Sequence, residues 1–169
     1  MIDKTKIVDF AIFKGLNDAQ LDKVCEKLVE RSYEENETIF SEGDVGTSLF
    51  LLLEGEVEIT QALTLNLDNS EIDNREKSLI RLNANVKTFF GEVGLIEKDG
   101  VRTATVRTTS NSLITRLSKK DFKELTENDP VLGTILLSNI AEVLCQRLRT
   151  TNANVLKITT AFSLALSKQ

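Results

Sequence analysis

Residues 41–59 read SEGDVGTSLFLLLEGEVEI, a segment typical of two short strands joined by a tight turn. Its apolar run, 49–53, lies between Gly46 and Gly55. Short apolar or alternating runs bounded by glycine and aspartate clusters indicate β-strands, and glycine tolerates the backbone conformations that tight turns require. The segment therefore predicts an antiparallel pair of strands.

Further runs of the same kind lie on both sides of this pair. They read ETIF, SLIRL, RTATVRT and SLITRLS, and polar clusters rich in Gly, Asp and Asn separate them. Strands at this spacing predict an antiparallel sandwich or barrel over about residues 32–117. The polar insert at 67–77 predicts a solvated hairpin tip.

Helical segments flank the strands. The run up to about residue 31 contains NDAQLDKVCEKLVER, in which Asn17 is a good N-cap and Gln20 completes a capping box. After the strands, Ser118 can cap a short helix, and Asp129 followed by Pro130 is a strong signal for the start of another. The predicted fold class is α+β: an antiparallel β-roll or jelly-roll sandwich with N-terminal helices and a long C-terminal helix. We divide the chain into a domain at 1–129 and this helix at 130–169.

The last helix carries an apolar stripe that its own domain cannot cover. Steps of three and four residues join Leu137, Ile140, Leu144, Leu148, Val155, Ile158, Phe162 and Leu166, and Thr151 falls on the same stripe. A helix rising about 1.5 Å per residue outreaches a small β-domain. We therefore predict a homodimer in which the helices of two copies form a coiled coil. The alternative is a break near residues 152–154 that folds the helix back.

Composition narrows the classes of function. The chain has no histidine, which removes the commonest general base and metal ligand, so we expect neither an enzyme nor a metal site or cofactor. Cys25 and Cys145 are predicted to be buried and reduced. A net charge of −5 argues against binding DNA. Because no long apolar run or signal segment is visible, we expect a cytoplasmic protein without membrane contact.

The stretch FFGEVGLIEKDGVRTATV, residues 89–106, holds the candidate chemistry. Glu92 and Arg102 lie ten residues apart, each among apolar side chains. They are either two ordinary surface charges in a weak salt bridge or a carboxylate and a guanidinium that converge on one ligand.

Four segments together resemble the cyclic-nucleotide-binding domain family, which includes the sensor half of catabolite-activator-type regulators and the regulatory subunits of kinases. The resemblance runs from about Phe10 to Leu156. The segments are FKGLNDAQLDKVCEKL, SEGDVGTSLFLLLEGEVEI, FFGEVGLIEKDGVRTATV and LCQRLRTTNANVL. The third looks like the family's phosphate-binding cassette, with Gly94 where the family more often has alanine.

The resemblance implies a role for each matching position. Arg102 would bind the cyclic phosphate with its planar fork of donors, and Glu92 would accept from the ribose 2′-OH. The full set of ligand-binding residues it implies is Gly91, Glu92, Val93, Gly94, Arg102, Thr103, Ala104, Thr151 and Asn152. The last two lie on the long helix and would reach the purine.

The function that the resemblance implies is a standalone sensor of cAMP or cGMP. The chain ends at Gln169, before a helix-turn-helix could fit, so we expect a regulatory protein that acts on an unknown downstream protein. One alternative is a dimerisation or scaffold module of the same fold without a ligand. Another is a sensor of a different small anionic effector. The sequence leaves open which cyclic nucleotide binds.

Overall fold

A computed structural model describes residues 2–62 and 76–167 of the chain. The predicted hairpin tip at 67–77 lies largely outside these residues. Eight strands form two antiparallel four-stranded sheets, which confirms the predicted β-roll. One sheet has the order β1 (Val29–Tyr33), β8 (Ser112–Ser118), β3 (Ser48–Glu54) and β6 (Phe89–Phe90). The other has the order β2 (Thr38–Phe40), β7 (Thr105–Thr108), β4 (Glu56–Ala62) and β5 (Glu76–Asn83).

Within the described residues, three helices begin where their capping residues predict, and a short fourth helix in the cassette has no side-chain cap. They are α1 (Asp18–Lys27), α2 (Val93–Ile96), α3 (Lys119–Asn128) and α4 (Pro130–Leu166), with short 3₁₀ turns at Lys4–Lys6, Ala11–Phe13 and Ala84–Val86. Asn17 and Gln20 form the expected capping box. Ser118 caps α3, and the Asp129 carboxylate accepts from the Leu132 N–H at 3.0 Å. These three sequence predictions are confirmed.

The predicted end of the first helix is wrong. α1 ends at Lys27, and Leu28 takes an extended conformation with φ −80° and ψ 135°. The next five residues form β1, which pairs with β8 from Val29–Arg116 to Tyr33–Ser112. Glutamate and arginine in this segment favour a helix locally, but antiparallel pairing with β8 at the edge of the sheet supplies backbone hydrogen bonds and determines the conformation.

The side chains form two apolar cores on the two faces of the first sheet. One lies under the helices and includes Phe10, Phe13 and Leu132. The other lies between the sheets and includes Tyr33, Phe50 and Val106. The two residues of β6 divide between them, because successive strand side chains point to opposite faces: Phe89 belongs to the first core and Phe90 to the second. The strand that leads into the cassette is thus anchored on both sides.

The long helix α4 has a buried start and an exposed remainder. Leu132, Leu136 and Ile140 are buried in the first core, and the Asn139 amide donates to the Ile12 and Lys14 carbonyls at 2.9 and 2.8 Å. The helix then continues unbroken to Leu166, so the alternative of a break at 152–154 is wrong.

Beyond this start the apolar stripe faces solvent. Leu148, Val155, Ile158 and Phe162 are 57–68% exposed. Cys145 is exposed too, contrary to expectation, whereas Cys25 is buried. By length and composition alone α4 could cross a membrane, a test that the core helices of water-soluble proteins also pass. The division of the chain at residue 129 stays a prediction.

Candidate functional site

The cassette begins with a turn that only glycine fits. Gly91 follows β6 and has φ +76°, a left-handed conformation that residues with a Cβ rarely adopt. A Cβ here would lie 2.6 Å from Nη1 of Arg102. The turn therefore brings the backbone of Gly91 directly onto the guanidinium, and its carbonyl accepts from that Nη1 at 2.7 Å.

The loop that opens the quoted 41–59 segment holds the cassette by backbone contacts. The Gly46 N–H donates to the Gly100 carbonyl at 2.7 Å, and the Arg102 N–H donates to the Asp44 carbonyl at 2.8 Å. Gly94, in α2, packs against Gly46 so closely that a Cβ would lie 2.7 Å from the Gly46 backbone. This packing therefore requires glycine at position 94. From the sequence alone, Gly94 is only a mild departure from the alanine that is more common in the family.

Arg102 is a buried cation at the wall of a pocket. Its side chain is 5% exposed, and Nη2 donates to the Ser48 carbonyl at 2.8 Å. Cζ lies 4.1 Å from the ring centroid of Phe40, within cation–π range. Burial lowers the pKa of Arg102, while the charges of Glu92 and Asp44 oppose that shift. No salt bridge reaches Arg102 from residues 2–62 or 76–167.

Glu92 pairs with the long helix. Its carboxylate, 8% exposed, accepts from Nη1 of Arg147 at 2.8 Å. Nη2 of Arg147 donates to the Thr88 hydroxyl at 3.2 Å and also to the Phe89 carbonyl. The possibility of a surface salt bridge between Glu92 and Arg102 is therefore wrong: the carboxylate binds α4, and Arg102 binds backbone carbonyls.

Sequence reasoning missed Arg147. The signal was available, because Arg147 lies four residues before Thr151 and residues at this spacing share a helix face. What the sequence does not indicate is how deeply this face meets the cassette at that point of α4.

These residues enclose a pocket of about 250 Å³. Its lining combines a charged end with an apolar floor and consists of Phe40, Ile59, Gln61, Phe90, Gly91, Glu92, Val93, Arg102, Thr103, Ala104, Val106 and Arg147. This volume is close to the lower end of pockets that hold small organic ligands, about 300 Å³. A cation, a carboxylate and an apolar surface in one cleft suit a small amphiphilic anion.

The predicted site residues do not all reach this pocket. Gly91, Glu92, Val93, Arg102, Thr103 and Ala104 line it. Gly94 lies behind it against Gly46. Thr151 and Asn152 are exposed on α4, one turn beyond Arg147, and are not among the lining residues. Their role at the purine stays a prediction.

Comparison with known proteins agrees with this geometry. A profile of the cyclic nucleotide-binding domain matches residues 30–129, more than half of the chain. The chain belongs to the cyclic nucleotide-binding domain family. The resemblance inferred from the sequence is thereby confirmed.

Relatives of this domain include bacterial regulators. The chain is 33% identical over 138 residues to the cAMP-activated global transcriptional regulator Vfr of Pseudomonas aeruginosa, covering 80% of this chain and 58% of that protein. The chain thus spans a little over half the length of this relative. The relatives matched by sequence are mostly regulators or regulatory subunits.

Solved structures share the fold. A cyclic nucleotide-binding domain from Methylobacillus flagellatus KT aligns with a TM-score of 0.78 at 20% identity, covering 90% of this chain and 82% of that one. The catabolite activator protein of Thermus thermophilus aligns with a TM-score of 0.72 at 23% identity, covering 88% and 63%. At these identities the likeness establishes the cyclic nucleotide-binding fold.

Proposed function

We propose that this protein is a sensor of cAMP or cGMP that binds the nucleotide in the pocket between the cassette and α4. The observation that carries the proposal is Arg102, a buried guanidinium without a carboxylate in contact among the described residues, at the wall of a cleft that also presents Glu92. Burying a cation is costly unless it is paired. A bound anion would supply the missing partner.

The phosphate is proposed to lie at the Arg102 end of the pocket. The guanidinium is already oriented by the carbonyls of Gly91 and Ser48, so the side chain loses little conformational entropy when an anion binds. Thr103, which lines the pocket, adds a hydroxyl donor. Hydrogen bonds between charged partners are about twice as strong as neutral ones, so this end supplies most of the affinity.

The ribose is proposed to lie against Glu92. A carboxylate has room to accept from the 2′-OH while it keeps its bond to Arg147, because two oxygens provide about four acceptor positions. The ligand, the cassette and α4 would then share one polar network. A nucleotide that favours one arrangement of this network shifts the position of α4, which is how a ligand biases a two-state equilibrium.

The output is proposed to pass through a homodimer. The exposed stripe on α4 follows an a/d heptad pattern, with Leu148, Val155 and Phe162 at one position and Leu144 and Ile158 at the other. Such a stripe is buried when two helices supercoil. Thr151 falls on the seam, so a partner helix would approach the mouth of the pocket.

We also propose that the protein acts in the cytoplasm on a downstream protein, without catalysis, a cofactor or contact with DNA or membrane. The acidic balance of the chain, −5, supports the part of this proposal that concerns DNA. The lack of histidine in the sequence supports the part that concerns catalysis.

A thermal-shift screen tests the proposal. The ligands are cAMP, cGMP, a cyclic dinucleotide, 5′-AMP and inorganic phosphate. At 100 times its Kd a ligand stabilises the folded state by about 2.7 kcal/mol, which for a chain of this size raises Tm by about 5–10 °C. We expect that rise for cAMP or cGMP and a smaller one for 5′-AMP. Folded protein unmoved by every cyclic nucleotide would contradict the proposal and favour the ligand-free dimerisation module, whose pocket carboxylate Arg147 already satisfies.

A further inference from the structure

Gln61 is a pocket residue that the sequence motifs do not assign. It lies on β4, two residues after Ile59, and both side chains line the pocket because alternate strand residues share a face. β4 pairs with β7 through Ile59–Val106 and Thr60–Thr105. This ladder ends at the pair Thr60–Thr105, so Gln61 and Ala104 are the residues next to its last pair, and both line the pocket.

The proposed function assigns Arg102 to the phosphate and Glu92 to the ribose, which leaves the purine without an assigned polar contact in the cassette. Arg102 donates to two backbone carbonyls. Glu92 and Arg147 bind each other, and Arg147 also donates to Thr88. Within the described parts of the chain the Gln61 carboxamide has no hydrogen-bond partner, and it is exposed to the cleft. It is therefore available to read a ligand.

We propose that Gln61 determines which purine the site prefers, and that it selects adenine over guanine. This inference rests on the proposed cyclic-nucleotide function. A carboxamide presents one acceptor and one donor side by side. The N6/N7 edge of adenine offers the matching donor and acceptor, so glutamine can bind it with two hydrogen bonds. The same edge of guanine offers two acceptors, O6 and N7, and leaves the carboxamide oxygen opposed to an acceptor.

The position of Gln61 favours this edge of the base. Gln61 and Ala104 both line the pocket and adjoin the last pair of the β4–β7 ladder, and Ala104 is two residues from Arg102, so we place Gln61 toward the proposed phosphate end. In an anti purine the five-membered ring, which carries N7, faces the 5′ oxygen and hence the cyclic phosphate. Arginine is a residue type that suits guanine at this edge, but Arg102 is assigned to the phosphate and Arg147 binds Glu92, so neither lining arginine is assigned to the base.

The test compares the Kd values of cAMP and cGMP for the wild type, Gln61→Leu and Gln61→Arg by calorimetry. Gln61→Leu removes both hydrogen-bonding groups at similar volume. We expect the wild type to prefer cAMP by about five- to tenfold, the lower end of the range for one bidentate pair, because the residue is exposed. Gln61→Leu should reduce the ratio to about one, and Gln61→Arg should favour cGMP. The matched control, Gln146→Leu on the exposed surface of α4, should keep the wild-type ratio.

A second ligand identifies the edge that is read. 7-Deaza-cAMP lacks the N7 acceptor, so it should bind the wild type more weakly than cAMP does and should bind Gln61→Leu equally well. The proposal is overturned if the cAMP/cGMP ratio of Gln61→Leu equals that of the wild type, or if the wild type prefers cGMP. These outcomes differ from a failure of the proposed function. If the proposed function is wrong, neither cAMP nor cGMP binds the wild type.

Discussion

The two walls of the pocket are built in different ways. The cassette wall is formed by neighbouring segments of the β-roll, and its side chains are buried and held by backbone groups, as Arg102 is by Ser48 and Gly91. From α4, the pocket lining contains Arg147, which binds Glu92. One turn later along the helix, Thr151 is exposed to solvent. The first wall is complete within one chain, whereas the second gives a face that a partner helix could complete.

This difference separates two tasks. The cassette wall carries Arg102 and Glu92, the charges proposed to bind a phosphate and a ribose, and both lie within one chain. The α4 wall is proposed to connect ligand to assembly, because Arg147 is adjacent to Leu148 of the exposed stripe. Affinity should therefore respond most to the cassette, and oligomeric state should respond most to α4.

The largest expected effect is at the cassette wall. Arg102→Ala should weaken cyclic-nucleotide binding at least about 100-fold, since two hydrogen bonds to a charged group are each worth about 1.5–3 kcal/mol. Arg107→Ala is the matched control, because Arg107 is an exposed arginine on β7, the strand that follows Arg102 in the chain. Arg102→Lys keeps the charge without the fork and should give an intermediate loss. Calorimetry on each folded variant measures the effect, and a loss under tenfold for both Arg102 variants would contradict it.

The next effect concerns the α4 wall. Leu148→Asp places a carboxylate on the seam of the proposed coiled coil and should weaken dimerisation by about 3 kcal/mol or more, because two charges would be buried unpaired. Light scattering should show a monomer for this variant and a dimer for Gln146→Asp, which changes an exposed residue outside the stripe. A monomeric wild type at the same concentration would refute the proposed role of α4.

The packing behind the cassette gives a third prediction. Gly94→Ala should destabilise the fold by about 1–3 kcal/mol, because its Cβ would lie 2.7 Å from the Gly46 backbone and the two loops would have to separate. Chemical denaturation measures the free energy of unfolding. Gly43→Ala, where a Cβ meets nothing within 4 Å, controls for this contact, although its φ of +88° carries a backbone cost of its own. Equal stability of Gly94→Ala and the wild type would mean that the cassette adapts easily.

The contact between the walls gives a smaller effect. Glu92→Gln keeps an acceptor for the ribose but loses the charge. The difference in binding free energy between cAMP and 2′-deoxy-cAMP should therefore fall to about half of its wild-type value. The pair of Kd values for each protein gives this preference directly. Glu97→Gln, an exposed change just after α2, should leave the preference at its wild-type value. An unchanged preference in Glu92→Gln would place the ribose elsewhere.

The smallest effect lies at the start of α4, far from the pocket. The Lys23 ammonium, 2.7 Å from the Asp129 carboxylate, and the Leu132 N–H hold the pKa of Asp129 below its ordinary value of 3.8. A depressed folded pKa means that this contribution is present above about pH 4 and is lost as the pH falls through the folded pKa. Asp129→Asn should therefore lower Tm slightly at pH 7, and this difference should shrink as the pH falls through the folded pKa of Asp129. A Tm difference between Asp129→Asn and the wild type that stays constant as the pH falls would contradict the assignment.

The sequence predicted those parts of the molecule whose physical causes are local. Helix caps at Asn17, Ser118 and Asp129 are short-range signals, and the strand runs carry their own periodicity. The strand at Val29–Tyr33 was missed because its conformation comes from pairing with β8, which lies far along the chain and pairs from Val29–Arg116 to Tyr33–Ser112. Arg147 and Gln61 were missed for the same reason: each becomes a pocket residue only when distant elements pack together.

The most direct test of the central claim is calorimetric titration of cAMP into the wild-type protein and, in parallel, into Arg102→Lys. The account predicts a saturable isotherm with a micromolar Kd for the wild type, and binding that is much weaker for the variant while its Tm without ligand is maintained. Heat indistinguishable from buffer dilution for cAMP, repeated with cGMP and with folded wild-type protein, would show that the buried guanidinium does not serve a cyclic phosphate.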